Sequence, residues 1–233
     1  MLQIRNVCKS YGRTLALRDV SLDVPQGELT ALVGPNASGK STLMKSILGL
    51  VRLDRGEILW EGRAFHAEPG YQRLFGFMPQ TPHYPENLTP TEILRIVQEV
   101  RGLSAANFEP YVEGFRFGPF LQRPIGTLSL GTRQKLSAIL ALGVEAPVLI
   151  LDEPTVGFDP VAAGVFRRMF LEKKARGTTI LFVSHLLQEV QAVADRVAFL
   201  EEGRIVFSGS VVEIQARTQT TSLEEAVLSF FDC

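Results

Sequence analysis

The run Gly34-Pro35-Asn36-Ala37-Ser38-Gly39-Lys40-Ser41-Thr42 has the residue types and spacing of a phosphate-binding loop, G-x-x-x-x-G-K-[ST]. Glycines let a backbone curl with its N–H groups turned inward, and a helix starting at the loop's end adds its positive N-terminus. In that frame Lys40 can reach the β- and γ-phosphates, and the Ser41 hydroxyl can ligate Mg²⁺. Gly34, Asn36, Ser38, Gly39 and Thr42 complete the candidate nucleotide contacts. Asp152-Glu153 follows four apolar residues, Val148 to Leu151. Two carboxylates at the C-terminal end of a buried strand lie at the edge where α/β sheets bind ligands. Asp152 is a candidate ligand for Mg²⁺, directly or through water, and Glu153 a candidate base for an attacking water. His185, after Ser184, ends a later apolar run in the same manner and is a candidate for the γ-phosphate.

These groups need a scaffold, and the apolar periodicity supplies one. Leu29 to Val33 reads as the strand before the loop, and Leu43, Met44, Ile47 and Leu48 as the buried face of the helix after it. Residues 2–33 alternate short apolar stretches with turns, a small β-rich subdomain. Tyr11 falls on the connection between the first two stretches. Further strands are predicted over Gly56–Gly62 and Leu74–Met78, the latter running into Pro79-Gln80.

Residues 79–90 hold Pro79, Pro82, Pro85 and Pro90, so this is a loop. It carries Tyr84 beside His83, which either contacts a partner chain or packs back on its own domain. Thr89, Pro90 and Glu92 form a capping box that opens a helix, with Ile93, Leu94, Ile96, Val97 and Val100 as its expected buried face. The stretch to about Gly143 reads as a helical insertion, its second helix from about Leu130 burying Leu136, Ile139 and Leu140. Asp159-Pro160 caps a helix packed through Val165, Phe166, Met169 and Phe170 and ended by Gly177. After the strand at Thr178–Val183, Leu186, Leu187, Val190 and Val193 line a further helix. Arg196–Leu200 and Arg204–Phe207 make a hairpin, and Ser222 with Glu225 caps a terminal helix striped by Leu223, Ala226, Val227, Phe230 and Phe231. Strands alternating with helices predict an α/β fold with a mainly parallel sheet.

With those residues assembled, the chain resembles the nucleotide-binding subunits of ATP-binding-cassette (ABC) transporters over about residues 2–208. The resemblance implies a P-loop NTPase core, an N-terminal antiparallel β subdomain and a helical subdomain inserted at 81–143. It places all of 1–233 in one domain, with 209–233 as a short C-terminal extension. It assigns Gln80 to the loop that senses nucleotide and touches Mg²⁺, Asp152 to the metal, Glu153 to catalysis, and His185 to the γ-phosphate. Asp159 becomes part of the shared nucleotide site, and Tyr11 the aromatic that stacks on adenine. The family's L-S-G-G-Q signature stands here as Leu128-Ser129-Leu130-Gly131-Thr132, followed by Arg133-Gln134. Ser129 and Gly131 are retained for a γ-phosphate held by the other protomer. Leu130 and Thr132 depart, as does Phe158 where leucine is usual, and the loss of the first glycine is expected to narrow backbone freedom at Leu130. Phe77-Met78-Pro79-Gln80, the Ser129–Gln134 run, Gly157-Phe158-Asp159-Pro160 and Leu223-Glu224-Glu225 are similar to export-type ATPases with separate membrane subunits. Among these, the run resembles the ATPase of the copper-processing transporter that serves nitrous oxide reductase maturation.

The implied activity is ATP hydrolysis with ATP and Mg²⁺. The implied assembly is a head-to-tail homodimer or heterodimer on a multi-span membrane permease, at the cytoplasmic face of the plasma membrane. Composition agrees with that division of labour. The 233 residues, 45% hydrophobic and 21% charged, are ordinary for a globular chain. A net charge of −1 makes no electrostatic case for nucleic acid or acidic lipid. No apolar run approaches the roughly 18–20 residues that span a bilayer. Met1–Arg5 opens directly into a strand pattern with no signal-peptide architecture. Cys8 and Cys233 are expected to be free thiols, and His66 and His83 have no metal-site spacing. Two rivals remain: a non-transport ABC protein acting on nucleic acid or ribosomes, which usually carries a coiled-coil insertion or second cassette, and a small-molecule kinase, which has no use for the Ser129–Gln134 run.

Overall fold

Leu2, Ile4 and Val7 are fully buried along the first strand, β1 (Leu2–Tyr11), while their neighbours face outward. The strand pairs antiparallel with β2 (Thr14–Val24), Leu2 opposite Val24 and Tyr11 opposite Thr14, and a register shift between Ile4 and Val7 interrupts the period-two alternation. The computed structural model describes residues 1–220 and 222–228. It divides into two units, Met1–Gln72 with the chain from Thr179 onward, and Arg73–Thr178.

In the first unit, β4 (Arg55–Trp60) and β5 (Arg63–Ala64) extend β1 and β2 into an antiparallel sheet in the order β2-β1-β4-β5. A second set of strands centres on β3 (Leu29–Val33). It runs parallel to β8 (Thr179–Val183) on one side and β9 (Arg196–Glu201) on the other, and β10 (Arg204–Ser210) closes on β9 antiparallel. Every residue of β3 and of β8 is buried, as strands covered on both faces must be. The phosphate-loop helix, α1 (Lys40–Ile47), follows β3 and buries Leu43, Met44 and Ile47 as expected. His66 Nε2 donates to the Ile47 carbonyl at 3.0 Å, at the C-terminal end of α1.

The second unit holds a parallel pair, β6 (Phe75–Met78) and β7 (Val148–Asp152), with Met78 opposite Leu151. Its helices are α2 (Pro90–Arg101), α3 (Glu109–Gly114), α4 (Leu130–Gly143) and α5 (Pro160–Ala175). The capping box of α2 forms as its sequence requires: Thr89 Oγ1 accepts from Glu92 N, and Thr89 N donates to Glu92 Oε2. The buried face of α2 is narrower than expected. Ile93 and Leu94 are buried, but Ile96 and Val100 are 47% and 69% exposed. Arg101 Nη2 donates to the Phe75 carbonyl at 2.8 Å, which turns the 93–97–101 stripe inward and leaves 96 and 100 on its outer flank. On α4, Leu136 and Ile139 are buried and Leu140 is half-buried; on α5, Phe166, Met169 and Phe170 are buried.

Two helices in the first unit complete the described chain after α6 (Leu187–Val193). Leu186 precedes α6 and is exposed, so it is not part of that helix's buried face. α7 (Val211–Thr218), unforeseen in the sequence, starts from a capping box of Ser210 and Glu213. α8 (Leu223–Leu228) starts where Ser222 Oγ accepts from Glu225 N, and it docks on its own unit. Leu223, Ala226 and Val227 are buried, and Leu223 N donates to Gln191 Oε1 of α6 at 2.9 Å. Phe230, Phe231 and Cys233 lie outside the described residues. Cys8 is a free thiol. No helix among the described residues is long and apolar enough to cross a membrane.

Candidate functional site

In the first unit the phosphate loop is fixed by close backbone approach on two sides. A Cβ on Gly34 would lie 2.0 Å from the Leu200 carbonyl oxygen of β9, and one on Gly39 would lie 2.6 Å from the Ala16 carbonyl oxygen of β2. No side chain fits at either position. Gly39 also has φ +110, a conformation that L side chains rarely adopt. Ser38 O accepts from Gly203 N at 2.9 Å, which ties the loop to the turn between β9 and β10.

The polar groups of this loop point to an anionic ligand. Gly39 is the N-cap of α1, and no side chain caps it. The first-turn N–H groups of a helix normally need a partner, so they remain available to a phosphate. Ser38 is 3% exposed, and its Oγ has no hydrogen-bond partner among the described residues. Lys40 Nζ folds over the loop and donates to the Gly34 and Pro35 carbonyls, both at 2.8 Å. The two main-chain oxygens hold the buried Lys40 side chain beside the cradle. Asn36 and Ser41 are exposed and Thr42 is half-buried. His185 follows β8 in this unit and is exposed, with buried Ser184 accepting from Leu186 N at 3.0 Å. Tyr11 ends β1 and is 49% exposed, with the Lys9 ammonium 5.5 Å from its ring centre.

The second unit carries the carboxylates. Asp152 ends β7 and is half-buried, and Glu153 follows it with φ +45. A left-handed glutamate is uncommon, and such conformations concentrate where the surrounding structure fixes a functional side chain. Gln80 Nε2 donates to Glu153 Oε2 at 3.1 Å, so the structure brings together two residues that lie far apart in sequence. Among the described residues there is no cluster of three His, Cys, Asp or Glu side chains that would hold a metal unaided. Mg²⁺ held by one carboxylate, a hydroxyl and phosphate oxygens needs none. The donor types at Ser41, Asp152 and Gln80 are the hard oxygen ligands that ion prefers.

The signature run lies at the start of α4. Ser129 is its N-cap, exposed, with Oγ accepting from Thr132 N at 3.2 Å and lying 2.8 Å from Thr132 Oγ1. Thr132 therefore contributes a hydroxyl to the serine it stands beside. Leu130 is the first helical residue of α4 and is 56% exposed. The expected restriction at Leu130 does not arise, because a helical conformation suits leucine. Gly131 is needed for space instead: a Cβ there would lie 2.7 Å from the Gly157 carbonyl oxygen. Asp159 is the N-cap of α5, accepting from Ala162 N at 2.8 Å, with Lys135 Nζ 3.7 Å away. The Ala162 N–H, with help from the Lys135 ammonium, holds the Asp159 carboxyl below the usual carboxylate range.

One finding decides between the two readings of Tyr84, and a second goes beyond the sequence reading. Tyr84 packs on its own unit rather than standing out as a contact for another chain. It is half-buried, its phenol hydrogen-bonds to the Ser137 side chain of α4, and burial pushes its pKa up to about 12. Gln134 is buried and donates through Nε2 to the Gln80 carbonyl at 2.9 Å. The signal for it was a glutamine on the face of α4 that also buries Ser137, Ala138 and Ala141.

The chain is similar to known proteins along most of its length. A family model described as ABC transporter matches residues 17–156. The chain is 36% identical over 206 residues to the lantibiotic transport ATP-binding protein SrtF of Streptococcus pyogenes, spanning 88% of this chain and 89% of that one. It is 32% identical to the lipopolysaccharide export system ATP-binding protein LptB of Acidithiobacillus ferridurans, with 92% of each covered. A solved structure of an ATP-binding subunit of an ABC transporter superposes with TM-score 0.93 at 33% identity, covering 98% of both chains. An ATP-binding cassette solved in its ADP conformation superposes with TM-score 0.77 at 27% identity, covering 97% of this chain and 98% of that one.

Proposed function

Because the chain belongs to the ABC transporter family as an ATP-binding subunit and ATPase, we propose that its ATP hydrolysis drives export through a separate multi-span membrane subunit. The observation that carries the chemistry is the Gln80–Glu153 hydrogen bond at the end of β7, in a chain that also builds a side-chain-uncapped phosphate loop. In this reading residues 1–233 act as one ATPase domain, with 81–143 as its helical insertion and 209–233 as its extension. The protein works as a head-to-tail homodimer or heterodimer at the cytoplasmic face of the membrane.

Lys40 and the α1 N–H groups neutralise phosphate charge, and His185 meets the γ-phosphate. Glu153, its rotamer fixed by Gln80, takes the proton of the attacking water. Mg²⁺, held by Ser41 and Asp152 with Gln80, would supply further neutralisation of charge on the phosphate oxygens. Tyr11 offers an exposed ring to adenine, and Ser129, Gly131 and Asp159 complete the site of the opposite protomer.

Export as the direction is supported by the names of the relatives, which include lantibiotic transport, lipopolysaccharide export and Nod factor export proteins. A copper- or sulfur-processing role in nitrous oxide reductase maturation rests on the sequence runs around Gln80, Ser129, Asp159 and Leu223 alone. In such a role the cargo would be handled by the partner chains.

Glu153→Gln tests the reading. The variant should bind MgATP as wild type does, hydrolyse it slower by about 10²-fold or more, and collect as an ATP-bound dimer on gel filtration. Hydrolysis at the wild-type rate would remove Glu153 from the role of base.

A further inference from the structure

Gln134 belongs to the Ser129–Gln134 run, yet the chemistry above gives it no part. It is 1% exposed. Its Nε2 donates to the Gln80 carbonyl at 2.9 Å, and Gln80 Nε2 donates in turn to Glu153 Oε2 at 3.1 Å. An unbroken pair of hydrogen bonds thus runs from the second turn of α4 to the carboxylate at the end of β7. Gln134 Oε1, in contrast, is buried with no hydrogen-bond partner among the described residues. An orphaned buried carbonyl is a cost that methionine or leucine would avoid. What the glutamine supplies in return is a donor aimed at the Gln80 carbonyl.

The same face of α4 is fixed on its other side. Leu130, Gly131 and Gln134 are neighbours at helical spacing. Gly131 abuts the Gly157 carbonyl oxygen so closely that a Cβ would lie 2.7 Å from it, and a Cβ on Gly157 would lie 3.9 Å from Gln134 Cγ. Lys135, next along, reaches Asp159. Ser129 caps the helix from which all of these project. Any shift of the first turns of α4 therefore moves the donor that holds the Gln80 carbonyl.

We infer that Gln134 is a positioning residue that couples the Ser129 end of α4 to the Gln80–Glu153 pair, so that a phosphate engaged at Ser129 changes the placing of the glutamate. This rests on the reading of Glu153 as the base. Gln134 touches no reacting atom and acts through the Gln80 main chain.

A double-mutant cycle distinguishes this role from plain packing. Gln134→Met keeps the volume and removes the donor. It should lower ATP hydrolysis by roughly five- to tenfold while leaving nucleotide affinity unchanged. Gln80→Ala keeps the carbonyl that Gln134 bonds and removes the side chain that reaches Glu153. In the Gln80→Ala background Gln134→Met should then change hydrolysis by less than about twofold. A full five- to tenfold loss in both backgrounds would make Gln134 merely structural and overturn the inference. Should Gln134→Met fail to fold, Gln134→Glu serves. Its protonated carboxyl donates to Gln80 and its ionised form does not, so its activity relative to wild type should fall as pH rises. A flat ratio overturns the inference as well. Glu153→Gln run alongside separates the two failures: an inactive Glu153→Gln with an additive cycle rejects Gln134 alone, whereas a fully active Glu153→Gln rejects the base itself.

Discussion

The N-termini of α1 and α4 each stand beside a glycine, and they are built in opposite ways. At α1 the cap is Gly39, no side chain caps the helix, and Ser38 Oγ is buried without a partner. At α4 the cap is Ser129, which accepts from Thr132 N and meets the Thr132 hydroxyl, and the turn is exposed. The first leaves its polar groups, the buried Ser38 hydroxyl among them, for a ligand, so a phosphate gains hydrogen bonds without displacing a side-chain cap. The second has satisfied its own cap, so a phosphate arriving there must compete with Thr132. On the proposed function, this geometry assigns tight phosphate binding to α1 and conditional binding to α4.

Removing one polar group from each end should therefore have unequal results. Lys40→Ala should weaken ATP binding to the isolated chain by about 10²-fold, the scale of losing charge-assisted hydrogen bonds to phosphate. Ser129→Ala should leave that affinity within about twofold and instead reduce ATP-driven dimerisation and hydrolysis by roughly tenfold. Fluorescent-nucleotide titration and gel filtration separate the two readouts. Equal loss of affinity in both variants would break the division between the helices.

The glycines sharpen the same contrast. Gly34→Ala meets a backbone oxygen at 2.0 Å, and Gly131→Ala one at 2.7 Å. Both should lower stability by about 1–3 kcal/mol, Gly34→Ala more, because neither obstacle is a flexible side chain. Chemical denaturation checks this. A neutral Gly131→Ala would show that α4 can move off Gly157 without cost, and would weaken the case that its first turns are held.

The smallest expected effect is at Tyr84, which anchors the loop after Gln80 to α4. At pH 8, Tyr84→Phe should cost about 1 kcal/mol through the lost Ser137 hydrogen bond. The phenol's pKa is raised to about 12 in the folded protein. Its contribution is therefore complete below the ordinary tyrosine range near pH 10. It is lost as pH rises toward 12, because the unfolded chain ionises first. The stability gap between wild type and variant should narrow over that window. A gap independent of pH would mean that the phenol is not buried against α4.

Much of the site was legible because its residues act locally. The phosphate loop, the capping box at Thr89, and the N-cap bonds at Ser222 and Asp159 depend on neighbours within four residues, and spacing alone reveals such contacts. Leu130 shows the limit even there. As a departure from a glycine it read as a backbone restriction, whereas the helix begins at that residue and the constraint falls on the space beside Gly131.

By itself the sequence determined the strands, their apolar content, the phosphate loop and the two carboxylates ending β7, since periodicity and short-range hydrogen bonding set these. Tertiary structure alone decided which flank of α2 is covered, that Tyr84 turns inward to Ser137, and that Gln134 bonds the Gln80 carbonyl 54 residues away. Burial and buried hydrogen bonds depend on which remote segment lies opposite. The energy of each depends on removing water from both partners together, and no window of one strand or helix contains both.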